Sequence, residues 1–316
     1  MGNQASTGTI SATLDEMQSK PMDLITQEEC CHTLMDLSHS KSANRDAIGN
    51  NQRGALLIIS AMKNFPREIG LNELACGVIM NLSHHNASNQ NVIAVEGGIE
   101  AVIDALKTNL AEVTLCQLGL GALWNLGFSN PDNQIKTCQA GAPDVIVSCL
   151  MRHQGDEEVC GNACGALAVL SENVQNQTLI PLTGTIPNII KCMTLHASAP
   201  KVVKNGCEAL MNLAHDCPPN QNMIAESGGV EMVVMTMKSF KRDAKILEYA
   251  TGALWNLSYR NRPNQDAIFL LGGIPMLVDT LLAYATEPSV YENACGALVN
   301  VSDNNPANQE KISLNN

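Results

Sequence analysis

Apolar residues recur through most of this chain at the spacing of an α-helix, and the polar interruptions recur with them. Ile274, Leu277, Val278, Leu281 and Leu282 fall at i, i+3, i+4, i+7 and i+8, on one side of a helix. Ile99, Val102, Ile103 and Leu106 repeat most of that stripe. Upstream of Ile274, Asn264-Gln265 opens a short predicted helix over 266–271 that stops at Gly272-Gly273. Paired glycines permit the positive-φ turn that a tight link between two helices needs. Pro275 follows in the first turn of the second helix, where its missing N–H costs nothing. After a polar link over 284–288, Val290, Ala294, Ala297, Leu298 and Val301 mark one side of a third helix. The predicted unit is three helices, the first short.

That unit is copied along the chain. The Asn position of the segment Ala-Leu-Trp-Asn-Leu-Ser and its equivalents falls at Asp36, Asn81, Asn125, Val169, Asn212, Asn256 and Asn300, in steps of 45, 44, 44, 43, 44 and 44. An Asn-Gln marker keeps the same step at Asn89, Asn133, Asn176, Asn220, Asn264 and Asn308. So does a small-residue turn at Gly98, Ala142, Thr185, Gly229 and Gly273. A period in this range predicts an all-α solenoid, in which each unit buries its apolar face only against its neighbours. Residues 22–40 form a partial unit, six full repeats run from about 43 to 304, and 306–316 begin another.

A length of 316 residues would suggest two domains, but a stack of repeats needs no second core. With only 3% aromatic residues, the core falls to Leu, Ile, Val, Ala and Met. The net charge of −12 argues against nucleic acid, whose phosphates demand a basic surface. It favours a basic or neutral partner, or serves solubility alone. Of the 12 cysteines, Cys31, Cys76, Cys164, Cys207 and Cys295 stand five residues before the marker, so they are one position copied. Small thiols in a helix interface explain them, and with no Cys-x-x-Cys pair the chain reads as reduced and cytoplasmic. The Asn-x-Ser triplets at Asn81, Asn256 and Asn300 are by-products of the repeat. No apolar run has the length of a membrane span.

The N-terminus carries a different signal. Met1-Gly2-Asn3-Gln4-Ala5-Ser6 fits the pattern for myristoylation at Gly2. Residues 1–21 are rich in Ser, Thr and Gln and lie outside the repeat, as a flexible tether would. A single acyl chain binds membranes only marginally, and the usual second signal is missing: Lys20 is the lone base of that segment and no cysteine precedes Cys30.

The phrase Asn-Gln…Gly-Gly-Ile-Pro…Ala-Cys-Gly-Ala-Leu-Trp-Asn-Leu-Ser resembles the armadillo repeat over residues 22–316. The wording at 250–258 is similar to the armadillo domain of the adenomatous polyposis coli protein, and the N-terminal arrangement resembles small N-myristoylated armadillo-only adaptors. The resemblance implies a right-handed superhelix of three-helix repeats whose third helices line a concave groove for an extended partner segment. It implies no catalysis and no cofactor.

Under that expectation, reading back from each marker by four and eight residues gives one groove strip per unit. Asn81, Asn125, Asn212, Asn256 and Asn300 would form a ladder of amides suited to a peptide backbone. Local hydrogen bonds that hold the third helix in register explain the same residues. One turn earlier stand Gly77, Gly121, Gly165, Gly252 and Gly296, with Glu208 the exception. Helix-interior glycines cost about 1 kcal/mol each against alanine, so they imply close approach of a neighbour or partner. Nuclear-import adaptors carry tryptophan there, so the resemblance to import receptors is weak. Trp124 and Trp255 precede the Asn instead, as packing between units or as anchors at the groove edge. Glu28, Glu73, Glu208, Glu248 and Glu292 against Lys204 alone favour a partner with Lys or Arg, unless they are only a solvated face. Helices packed roughly 8–10 Å apart make six units a groove on the order of 50–60 Å long, enough for well over ten extended residues.

No phosphate loop is present, since Gly49 to Gly54 has the spacing but Ala55 where Lys is required. No nucleophile, base and orienter assemble, and His84-His85 lie in a polar loop, so neither an enzyme nor a metal site is expected. The expected function is a protein-interaction scaffold, attached peripherally to the cytosolic face of a membrane through Gly2. The alternatives are a regulator or chaperone of a small GTPase, and a structural subunit of a cytoskeletal or ciliary assembly that docks through an uncovered end at Asn316.

Overall fold

The computed structural model describes residues 2–49 and 52–313, and every regular element among them is a helix. The chain divides into two compact units, 1–153 and 154–316. The division falls inside the third repeat, between its second and third helices. Unit 1 opens with α1 (Gly2–Ser19) and α2 (Leu24–Ser40). Two full repeats follow: α3 (Ser42–Gly49), α4 (Gln52–Asn64) and α5 (Ile69–Ser83), then α6 (Ala87–Val95), α7 (Gly98–Thr108) and α8 (Val113–Gly127). It closes with α9 (Pro131–Gln139) and α10 (Ala142–Arg152). Unit 2 begins with α11 (Glu157–Ser171), then α12 (Thr185–Leu195) and α13 (Pro200–Ala214). Two full repeats follow: α14 (Pro218–Glu226), α15 (Gly229–Ser239) and α16 (Ala244–Ser258), then α17 (Arg262–Leu270), α18 (Gly273–Ala283) and α19 (Pro288–Ser302). The last helix is α20 (Pro306–Ser313).

The N-terminal segment departs from the expected flexible tether. It is helical, and Ile10, Leu14 and Met17 are buried at 3%, 1% and 0% exposure. These three residues fall at i, i+4 and i+7, a single apolar stripe hidden in a sequence otherwise rich in Ser and Thr. The Gln27 amide donates to the Met17 and Lys20 carbonyls at 2.9 and 3.0 Å, and Arg53 on α4 pairs with Asp15 at 2.6 Å. The helix thus packs its apolar stripe against α2, α3 and α4. Leu14→Asp, which buries a charge in that seam, is expected to destabilise unit 1 by roughly 3–5 kcal/mol, read as a lowered urea midpoint.

The fourth repeat departs from the expected three α-helices. Where its first helix should stand, residues 172–179 form turns and Ile180–Thr183 a single 3-10 turn. Two causes are visible in the sequence. Pro181 cannot complete an α-helical hydrogen bond, and the step of 43 shows one residue missing.

Elsewhere the predicted punctuation holds. Gly272 takes φ 75°, the left-handed turn between the first and second helices of its repeat. The Asn-Gln marker, expected to open the first helix, instead lies inside it. In repeat 6 the cap is Asn261, whose side chain accepts from the Asn264 N–H. That leaves Asn264 buried, with its amide donating to Leu257 O at 2.8 Å and Gln221 O at 3.4 Å, on the third and first helices of the repeat before. Asn133, Asn220 and Asn308 make the same two bonds. A column of buried amides therefore stitches successive layers together.

The cysteine position behaves as a core position. Cys31, Cys76, Cys164 and Cys207 are fully buried, and burial pushes the thiols of Cys31, Cys76 and Cys207 up to about 12. Of all twelve cysteines only Cys217 and Cys295 are partly exposed. Because the thiolate is the reactive species, native protein treated with a disulfide reagent at pH 8 is expected to release about two equivalents quickly and the rest only on denaturation.

Candidate functional site: the third-helix face

Within each unit the third helices stand side by side, and the marker asparagines show what holds them. The Asn125 amide donates to Met80 O at 2.9 Å in unit 1. In unit 2, Asn212 donates to Ala168 O at 3.0 Å, Asn256 to Met211 O at 2.9 Å and Asn300 to Trp255 O at 2.9 Å. Asn81 reaches Ser38 Oγ at 3.1 Å and Met35 O at 3.4 Å. Each bond runs back one repeat, so the ladder is a register clamp. All five residues are nevertheless half-buried, and no hydrogen bond among the described residues engages their Oδ1 atoms. A fixed amide with an unspent acceptor on an accessible face can also serve an extended backbone.

A second rung lies seven residues before the markers Asn212 and Asn300, which sequence reasoning missed. Asn205 donates to Gly161 O and Asn293 to Glu248 O, both at 2.8 Å. The spacing of seven puts both rungs on one helix face, and that periodicity was available in the sequence.

At Gly77, Gly252 and Gly296, one turn before the marker, the space a side chain would fill is taken by the preceding repeat. A Cβ on Gly77 would stand 2.9 Å from Met35 Sδ, on Gly252 2.5 Å from Met211 Sδ, and on Gly296 2.4 Å from the Trp255 ring. Trp255 therefore packs between repeats across Gly296. Trp124 is half-buried in α8. The exception explains itself by size: Glu208 replaces glycine where the preceding repeat offers only Ala168.

The charges divide by unit. In unit 2, Lys245 pairs with Glu248 at 2.9 Å and Lys201 with Glu158 at 2.5 Å. The ammonium groups of Lys204 and Lys245 lie 5.8 and 5.1 Å from the centre of the Tyr249 ring, within cation–π reach. Burial raises the Glu208 carboxyl, while Lys204 and a hydrogen bond from the Tyr249 hydroxyl oppose the rise. The Tyr249 hydroxyl is itself raised, by burial first and then by Glu208 and Glu248. The expectation of Lys204 as the sole base is corrected: Lys201 and Lys245 share this face. Glu292 on α19 is exposed. In unit 1, Glu73 is raised by burial and then by Glu112, and it accepts from the Leu115 N–H, near the start of α8. That bond gives Glu73 a structural role as a helix-terminus partner.

A carboxyl raised in the folded state stabilises less as pH climbs through its folded value, because the native protein holds the proton longer than the unfolded chain does. Glu208→Gln is therefore expected to raise stability at pH 7 slightly, by under about 1 kcal/mol, read as a higher thermal midpoint. The difference should vanish as pH falls below the ordinary Glu range.

With this geometry in hand, comparison with known proteins is decisive for the fold. Residues 217–259 match the Armadillo/beta-catenin-like repeat profile. That segment is an armadillo repeat, and the solved structures similar to the chain share its fold. An engineered protein of known crystal structure superposes with a TM-score of 0.83 at 22% identity, covering 97% of this chain and 71% of its own. A designed armadillo repeat protein gives 0.67 at 17% identity, over 78% of this chain and 98% of its own. Another, crystallised in complex with the peptide (KR)4, gives 0.63 at 19% identity, over 78% and 98%. A search of curated proteins gave no match. The chain thus has the expected all-α solenoid fold.

Proposed function

We propose that this armadillo chain is a non-enzymatic scaffold that binds an extended, basic or neutral segment of another protein along its third-helix face. The observation that carries the proposal is the row of half-buried asparagines, each fixed by one N–H to the preceding helix while its Oδ1 remains unspent. Their one-repeat spacing matches a ligand that offers backbone donors at regular intervals. A designed relative of the same fold binds an alternating Lys-Arg peptide, which supports both the extended ligand and its charge. The test is fluorescence anisotropy of labelled extended octapeptides, basic and neutral, titrated with the full chain. Saturable binding of at least one is expected; no saturation by any peptide of either kind overturns the proposal.

Myristoylation of Gly2 is proposed with it, giving reversible contact with the cytosolic face of a membrane. Gly2 begins α1, so an acyl group there would extend from the first turn of a docked helix. Mass spectrometry of the N-terminal peptide from eukaryotic cells tests this, and a free or acetylated terminus removes the tether.

A further inference from the structure

We propose that unit 1 is where the partner's cationic side chains bind, with one lysine or arginine entering the hollow between α2 and α5. The inference rests on the scaffold function above and assigns the partner's charge to a place.

Three observations support it. The third helices of unit 1, α2, α5 and α8, contain no Lys or Arg, yet they carry Glu28, Glu29, Asp36 and Glu73, with Glu112 capping α8. No Lys or Arg ion pair reaches those four residues among the described residues. The unit 1 pairs Lys20–Glu16, Arg53–Asp15 and Lys136–Glu100 sit on other helices, and only His32 answers Asp36, at 3.5 Å. Unit 2 differs, because Lys201, Lys204 and Lys245 already stand beside Glu158, Glu208 and Glu248. The third observation is shape. A hollow of about 540 Å³ is lined by Glu28, Glu29, His32, Thr33 and Leu74.

Carboxylates with a leucine wall suit a long side chain that buries its methylene stem and keeps a charged head beside acids. Glu28 is half-buried and close to α5: its Oε1 would lie 3.1 Å from a Cβ on Gly70, so the glycine leaves that carboxylate room. Glu73 and Glu112 repel each other, and a ligand cation would relieve both. Attraction of this kind sets specificity and approach rate and weakens with salt.

The experiment uses the full chain, a fluorescein-labelled (KR)4 peptide and an alternating Ser-Asn octapeptide. Glu28→Gln/Glu73→Gln is expected to weaken (KR)4 binding about tenfold at 50 mM NaCl, roughly threefold per carboxylate, and to flatten its salt dependence. Glu226→Gln/Glu231→Gln, two exposed carboxylates on α14 and α15 of unit 2, away from the third-helix face, should stay within about twofold of the unaltered chain. Circular dichroism melts check that both variants fold. Equal effects of the two pairs, or none from the first, overturn the inference. Equal binding of the Ser-Asn and (KR)4 peptides overturns it too while leaving the scaffold function standing. Failure of both peptides to bind removes the scaffold function itself.

Discussion

Gly296→Glu is expected to lower the stability of unit 2 by about 3 kcal/mol, and adding Trp255→Ala should return part of the loss. The Trp255 indole lies over the backbone at 296 so closely that a Cβ there would stand 2.4 Å from Cδ2 and Cε2 of the ring. Any side chain at 296 must displace the ring. Overfilling a packed contact costs roughly 1–3 kcal/mol, and the displaced indole loses its own contacts. The better helix propensity of glutamate returns only about 0.5–1 kcal/mol of this. The chain has already made the compensating exchange once, placing Ala168 before Glu208. The double variant reproduces that arrangement, so the two changes should couple favourably by at least about 1 kcal/mol in a double-mutant cycle. Urea unfolding followed by hydrogen exchange in α16 and α19 measures it. Simple additivity would mean that size complementarity between repeats is not the reason for the glycines.

The same example shows how far the chain could be read without coordinates. Apolar stripes such as Ile99, Val102, Ile103 and Leu106 are all buried, since a helical period over two turns leaves few other arrangements. The glycines at 77, 252 and 296 announced a close neighbour, but sequence could not say whether it belonged to the chain or to a ligand. The answer, Met35, Met211 and Trp255, sits one residue before each marker and about 42 positions away in sequence, a separation at which periodicity gives alignment but not contact. Lys245 was missed for a related reason. It stands eleven residues before Asn256, outside the four-and-eight strip, and reaches Glu248 and Tyr249 through a long flexible side chain. Helix α1 was missed because three large apolar residues in eighteen are a weak signal until a neighbour buries them. The first helix of the fourth repeat was legible as a defect, through Pro181 and the lost residue, but the strength of the surrounding repeat hid it.

Asn220→Leu is expected to cost roughly 3 kcal/mol, whereas Asn256→Leu should cost about 1 kcal/mol. Both residues are asparagines held at the repeat period, and both donate to a carbonyl of the preceding repeat. Asn220 is 4% exposed and ties two carbonyls, Leu213 O at 2.8 Å and Gln177 O at 3.0 Å. Leucine has nearly the same shape, so the main effect is two buried acceptors left without a donor, at about 1–3 kcal/mol each with partial relaxation. Asn256 makes one such bond, to Met211 O at 2.9 Å, on a face where water can replace it. Thermal midpoints of the two variants, with hydrogen exchange to localise the loss, distinguish the columns. A large loss at Asn220 with a small one at Asn256 would assign the buried column to holding layers together and leave the outer one free to meet a partner. Equal losses would make both columns structural, and the outer amides would then have no spare capacity for a peptide backbone.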